Sequence, residues 1–122
     1  MKYCKGNLVL TEYGILPVKH IAFDKYMVEG KDGRLLWADE IGSVPITEIR
    51  LVDLGFYYSD DDHDYLELPV IGKFKLHADR SNNFSSVTFR IGDYEKAIYF
   101  IHKIQNLYYE LTNKFLTLNS NL

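Results

Sequence analysis

Apolar and polar residues alternate with a period of two through most of the chain and shift to a period near 3.6 close to its end. Short segments rich in Val, Ile, Leu, Tyr and Phe are separated by turn residues, the pattern of antiparallel strands that each bury one face. They are "NLVLT" (7–11), "ILPVKHIAF" (15–23), "KYMVE" (25–29), "RLLWAD" (34–39), "EIRLVDLGFYY" (48–58), "DYLELPV" (64–70), "KFKLHA" (73–78) and "SVTFRI" (86–91). Seven or eight strands are predicted. "GKDG" (30–33) supplies two glycines for a tight hairpin, and "DRSNNFS" (79–85) reads as a polar connection. Within "RLLWAD", Leu35 and Trp37 share a face, and as the larger pair they are expected in the core.

Beyond Gly92 the spacing predicts a helix from about Tyr94 to Phe115, with Asp93 as its N-cap. At about 100° per residue, Tyr94, Ala97, Ile98, Ile101, Ile104, Tyr108, Leu111 and Phe115 lie on one face. Lys96, Lys103, Asn106, Glu110 and Lys114 take the opposite face, and Tyr99 stands alone among polar neighbours. Phe100 with Leu107 on one flank, and Tyr109 with Leu116 on the other, widen the apolar arc to about 200°, twice the stripe one core requires. One of those flanks is expected to stay partly uncovered. Without repeats or linkers, residues 1–116 read as one domain and 117–122 as a fraying tail.

The composition narrows the function classes. A chain of 122 residues with 47% hydrophobic residues can bury a single core. A formal charge of −3 argues against a general nucleic-acid binder and suits a partner with a basic surface. Cys4 is the only cysteine, which excludes an internal disulfide and a cysteine-rich metal framework. The start "MKYCKGN" has no apolar signal region and no stretch approaches the roughly 18 apolar residues of a membrane span, so a cytoplasmic protein is expected.

Candidate chemistry concentrates in "FYYSDDDHDYLEL" (56–68), where Asp60, Asp61, Asp62, His63 and Asp64 are consecutive. Asp60, Asp62 and Asp64 alternate like the start of a calcium loop. Its sixth position would be Tyr65 where glycine is needed, and its twelfth Ile71 where a bidentate glutamate is needed. The favoured reading is a solvated hairpin loop with no tightly held metal. A looser divalent-ion site and an acidic epitope for a basic partner are the alternatives. His20 and His77 fall in strand patterns, and His102 at the polar edge of the helix; no pair has helical metal-site spacing. Each histidine is expected to be structural or solvent-facing. Cys4 has no nearby histidine to activate it, and no nucleophile elbow, phosphate loop or zinc-protease motif occurs. In "KFKLHA" the alternation sets Lys73, Lys75 and His77 on one face, with Arg90 joining from the next strand as a candidate anion-binding patch.

The segments "GNLVLTEYGILPVKH" and "VPITEIRLV", with the later "NNFSSVTFRIGDYEKAIYFIHKIQNL", resemble bacterial pleckstrin-homology-like domains. The resemblance implies a bent sheet or partly open barrel capped by a C-terminal helix, binding proteins or membranes without catalysis or cofactor. Phosphoinositide-binding members place Lys and Arg around the first hairpin; here that turn is "TEYG". The expected function is therefore a non-enzymatic protein-binding module, such as an inhibitor, adaptor or immunity-type protein that occludes a partner. Phe100, Leu107, Tyr99 and Tyr109 are its candidate contact residues, and a second copy of the chain is an alternative occupant. The competing readings are a peripheral anionic-lipid binder using Lys73, Lys75 and Arg90, and a metal-dependent hydrolase built on the aspartate loop.

Overall fold

In the computed structural model, which describes residues 2–117, the alternating segments form ten strands in two five-stranded antiparallel sheets, with one C-terminal helix after them. The chain is mostly β, of the α+β class. Neither sheet closes on itself. The backbone groups into two compact units, one ending at Val44 and the other beginning at Pro45.

The first unit contains β1 (Leu8–Thr11), β2 (Gly14–Ala22), β3 (Lys25–Glu29), β4 (Leu35–Ala38) and β5 (Ile41–Ser43), in the order β4-β3-β2-β1-β5. Alternation along β1 to β3 buries Val9, Leu16, Val18, Tyr26 and Val28, and Tyr3 packs among them. The expected register of β4 is reversed. Val28 stands opposite Leu36 and Tyr26 opposite Ala38, and these smaller side chains pack on the core. Trp37, opposite Met27, is 46% exposed. The inward pair has to match residues already set by β3, and the bulk of Tyr26 leaves room there for alanine and not for tryptophan.

Two turns of this unit carry testable consequences. At the β2–β3 hairpin both central residues, Phe23 (φ 50°) and Asp24 (φ 66°), are left-handed, and Phe23 is 98% exposed. A left-handed residue with a Cβ costs about 1–2 kcal/mol, and Asn-Gly is the pair that suits this turn. Phe23→Asn with Asp24→Gly should therefore raise stability by about 1–2 kcal/mol, read as a higher urea midpoint; an unchanged midpoint would count against the turn geometry. Between β1 and β2, Glu12 reaches the β4–β5 turn, accepting the Asp39 N–H at 2.8 Å and the Glu40 N–H at 3.3 Å. Desolvation there pulls the Glu12 carboxyl up, but hydrogen bonds from the Asp39, Glu12 and Glu40 backbone outweigh it and hold the group below its usual 4.5. A depressed folded-state value means that the contribution to stability is present above that usual value and is lost as pH falls through the folded-state one. Glu12→Gln should thus lower the melting temperature at neutral pH, and the gap from wild type should close in strong acid.

The second unit contains α1 (Glu48–Asp53), β6 (Tyr57–Tyr58), β7 (Tyr65–Ile71), β8 (Phe74–Asp79), β9 (Val87–Ile91), β10 (Tyr94–Ile98) and α2 (Ile101–Thr112), its sheet ordered β10-β9-β8-β7-β6. Two expectations are corrected here. Residues 48–53 are helical and not a strand, because Thr47 caps the start by accepting the Arg50 N–H. Gly55 (φ 107°) ends it, its N–H reaching Val52 O while the Phe56 N–H reaches Leu51 O, the paired bonds of a Schellman stop. Residues 94–98 in turn form a strand and not the first turns of the helix. Ile71-Gly72-Lys73-Phe74 and Ile91-Gly92-Asp93-Tyr94 are the same two-residue hairpin, with Gly72 at φ 55° and Gly92 at φ 56°. The second of them returns Tyr94 to Ile98 along β9. The helix consequently starts at Ile101, with Phe100 and not Asp93 at its N-cap, and stops at Thr112, where Asn113 turns left-handed (φ 61°). The proposed tail falls mostly outside the described residues.

Candidate functional site

Shortening the helix changes which side chains it buries. Ile101, His102, Ile104 and Gln105 form its inward face. His102, expected at the polar edge, is fully buried, and Phe115, which the periodicity sets on the apolar face, is 40% exposed. Gln105 donates from Nε2 to Leu116 O at 2.9 Å, which draws the segment after α2 back over the helix and buries Leu116.

On the outward side, β10 runs through Tyr99 and Phe100 into α2 and leaves a groove of about 420 Å³ at the corner. Lys96 and Ala97 line it from the strand, Tyr99 and Phe100 from the corner, and Lys103 and Leu107 from the helix. Phe100 is held extended (φ −133°, ψ 145°), bridged to Pro45, with its carbonyl accepting the Lys103 N–H at 3.1 Å. Tyr99 is 60% and Phe100 40% exposed, and Leu107 is half-buried. Three of the four contact residues suggested by the sequence thus share one concavity. Tyr109 does not line it; its ring lies 4.8 Å from that of Phe115.

The aspartate segment is the β6–β7 hairpin loop, and it is organised by its own hydrogen bonds. Asp60 accepts the Asp64 N–H at 3.0 Å, and His63 adopts φ 59° with its ring stacked 4.3 Å from Tyr58. Arg80, unremarked in the sequence, is the clamp: its Nε and Nη2 donate to the His63 carbonyl at 3.0 and 2.6 Å. Its guanidinium also lies 3.6 Å from Asp64 and 3.7 Å from Glu48. The Tyr58 hydroxyl donates to Glu48 at 2.5 Å, and this bond, with some desolvation, raises the phenol above its usual 10. Asp60, Asp62 and Asp64 bring one carboxylate oxygen each to within 4.8 Å of one another. All three remain wholly or partly open to water, which screens their repulsion and competes for a cation. Thermal unfolding in chelator and in millimolar calcium is therefore expected to give one midpoint; a large upward shift with calcium would reveal a bound ion, since a ligand of the folded state alone stabilises it.

The basic residues of the sheet are dispersed among acids. Lys75 sits 3.0 Å from Glu67, whose hydrogen bond raises the ammonium above its usual 10.5. Arg90 bonds Glu95 directly across the β9–β10 pair, and Lys73 lies in the turn before β8. Two of the three cations proposed for anion binding thus already have a carboxylate neighbour. A second apolar exposure appears on α1, where Ile49 (74% exposed) and Val52 (42%) border a shallow hollow with Tyr58. Cys4 is exposed with a free thiol. Among the described residues no helix is long and apolar enough to cross a membrane.

No protein-family model, curated protein or solved structure matches this chain.

Proposed function

We propose that the protein is a non-enzymatic, cytoplasmic binding module of the pleckstrin-homology-like kind, which occludes or recruits a partner protein through the groove between β10 and α2. The supporting observation is that Tyr99, Phe100 and Leu107 converge on one concavity while the same helix buries a separate face. Large aromatic side chains at the centre of a concave surface are the residue type that carries most binding energy in protein interfaces. Their exposure in the free chain gives a partner apolar area to cover.

The test is affinity capture with immobilised wild type and with a Phe100→Ser, Leu107→Ser double variant, each checked by circular dichroism. A partner held by the wild type and released by the folded double variant supports the reading. Equal retention by both removes it. Should the double variant unfold, Tyr99→Ala, which alters the most exposed of the three, must weaken capture, or the groove is not the contact surface.

A further inference from the structure

Among the described residues the groove borders a sheet edge: strand β10 pairs with β9 alone, and the one isolated bridge, to Pro45, lies beyond it at Phe100. The two-residue turn at Gly92 and Asp93 makes Ile91 and Tyr94 the first hydrogen-bonded pair, and bonding alternates from there. By that alternation the N–H and C=O groups of Glu95 and Ala97 point away from β9. An unpaired row of this kind is a template for another extended chain, the strand-addition mode of peptide recognition.

Charge then selects among chains. Glu95 stands opposite Arg90 and accepts its Nε–H at 3.0 Å, so its charge is answered within the hairpin. Lys96 and Lys103 both line the groove, and among the described residues neither is in an ion pair. Glu110 is the acid that lines it with them. On a chain of net charge −3, this places a locally positive apolar slot beside an edge strand. A second copy of the chain would bring its own two lysines to the same place, which disfavours self-pairing along β10.

Resting on the reading of this groove as the contact surface, we propose that it takes an extended acidic segment of a partner protein as an added strand on β10. Carboxylates of that segment meet Lys96 and Lys103, and an apolar side chain covers Phe100 and Leu107. The sequence suggested a basic partner surface from the overall charge; the local charge at this groove points to an acidic one.

Fluorescence anisotropy with a labelled octapeptide of alternating valine and glutamate tests this, against a counterpart of alternating valine and lysine. The glutamate peptide should bind, less tightly as salt rises, and the lysine peptide should not. Lys96→Glu with Lys103→Glu, both at exposed positions, should weaken the glutamate peptide by about tenfold. Methylating every backbone nitrogen of the glutamate peptide keeps its side chains but removes its hydrogen-bond donors along both strand edges, and should abolish binding. Equal binding of both peptides, undiminished binding of the methylated one, or no binding at all overturns the proposal. If the Phe100→Ser, Leu107→Ser variant loses the native partner while neither peptide binds, strand addition fails and the groove reading stands. If capture survives that variant, both fail.

Discussion

Phe84→Ala is expected to cost about 3–5 kcal/mol, the range for emptying a fully buried aromatic site. The residue lies in "DRSNNFS", which reads as a polar connection, yet it is only 2% exposed. Its placement comes from the backbone. Asp79 caps a short 3-10 turn over Arg80–Asn82, Asn83 closes it at φ 64°, and Phe84 follows at φ 53° with its N–H bonded to Asp79 O at 3.0 Å. Two successive left-handed residues swing the ring inward, and the Arg80 guanidinium covers it at 5.1 Å from the ring centroid. Alanine at this φ keeps the backbone strain, loses the aromatic burial, and frees the residue that also holds the aspartate loop. Urea unfolding followed by far-ultraviolet circular dichroism should show a markedly lower midpoint; a midpoint near that of the wild type would mean that the ring is not in the core.

The second large effect separates the two faces of α2. Ile104→Ala should cost about 2–4 kcal/mol, because Ile104 is fully buried and its removal leaves a cavity. Tyr99→Ala, at the corner leading into the same helix, should cost less than about 1 kcal/mol, as substitutions away from a core do. The ordering is the informative quantity. Were Tyr99→Ala the more costly change, the corner would be part of the core and unavailable to a partner.

The strands and the amphipathic C-terminal helix are legible in the pattern of apolar residues, but their limits are not. Tyr94, Ala97, Ile98 and Ile101 satisfy a helical period as well as Ile101, Ile104 and Tyr108 do, so periodicity alone extends the helix backwards. The repeat of "IGKF" as "IGDY" is the local signal against it, since a glycine at positive φ in a two-residue loop closes a hairpin and the returning strand takes its hydrogen bonds from β9. In the same way "EIRLVD" alternates well enough to pass for a strand, while Thr47 before it and Gly55 after it mark a short helix. The reversed register of β4 is a tertiary effect: the space beside Tyr26 decides which face turns inward, and nothing within "RLLWAD" encodes that. Of the candidate site, Phe100 and Leu107 were visible in the sequence as one flank of the surplus apolar arc, and Tyr99 as an aromatic alone on the polar side. The shape of the site was not, because the groove exists only once residues 94–98 form an edge strand beside the helix.

The most direct test of the groove as the contact surface is photo-crosslinking from within it. A benzophenone amino acid in place of Tyr99, irradiated in lysate of the native host, is expected to yield an adduct with a single partner protein. The same group in place of Phe23, at the tip of the β2–β3 hairpin and 98% exposed, is expected to yield none. An adduct from position 23 with none from position 99 would contradict the account.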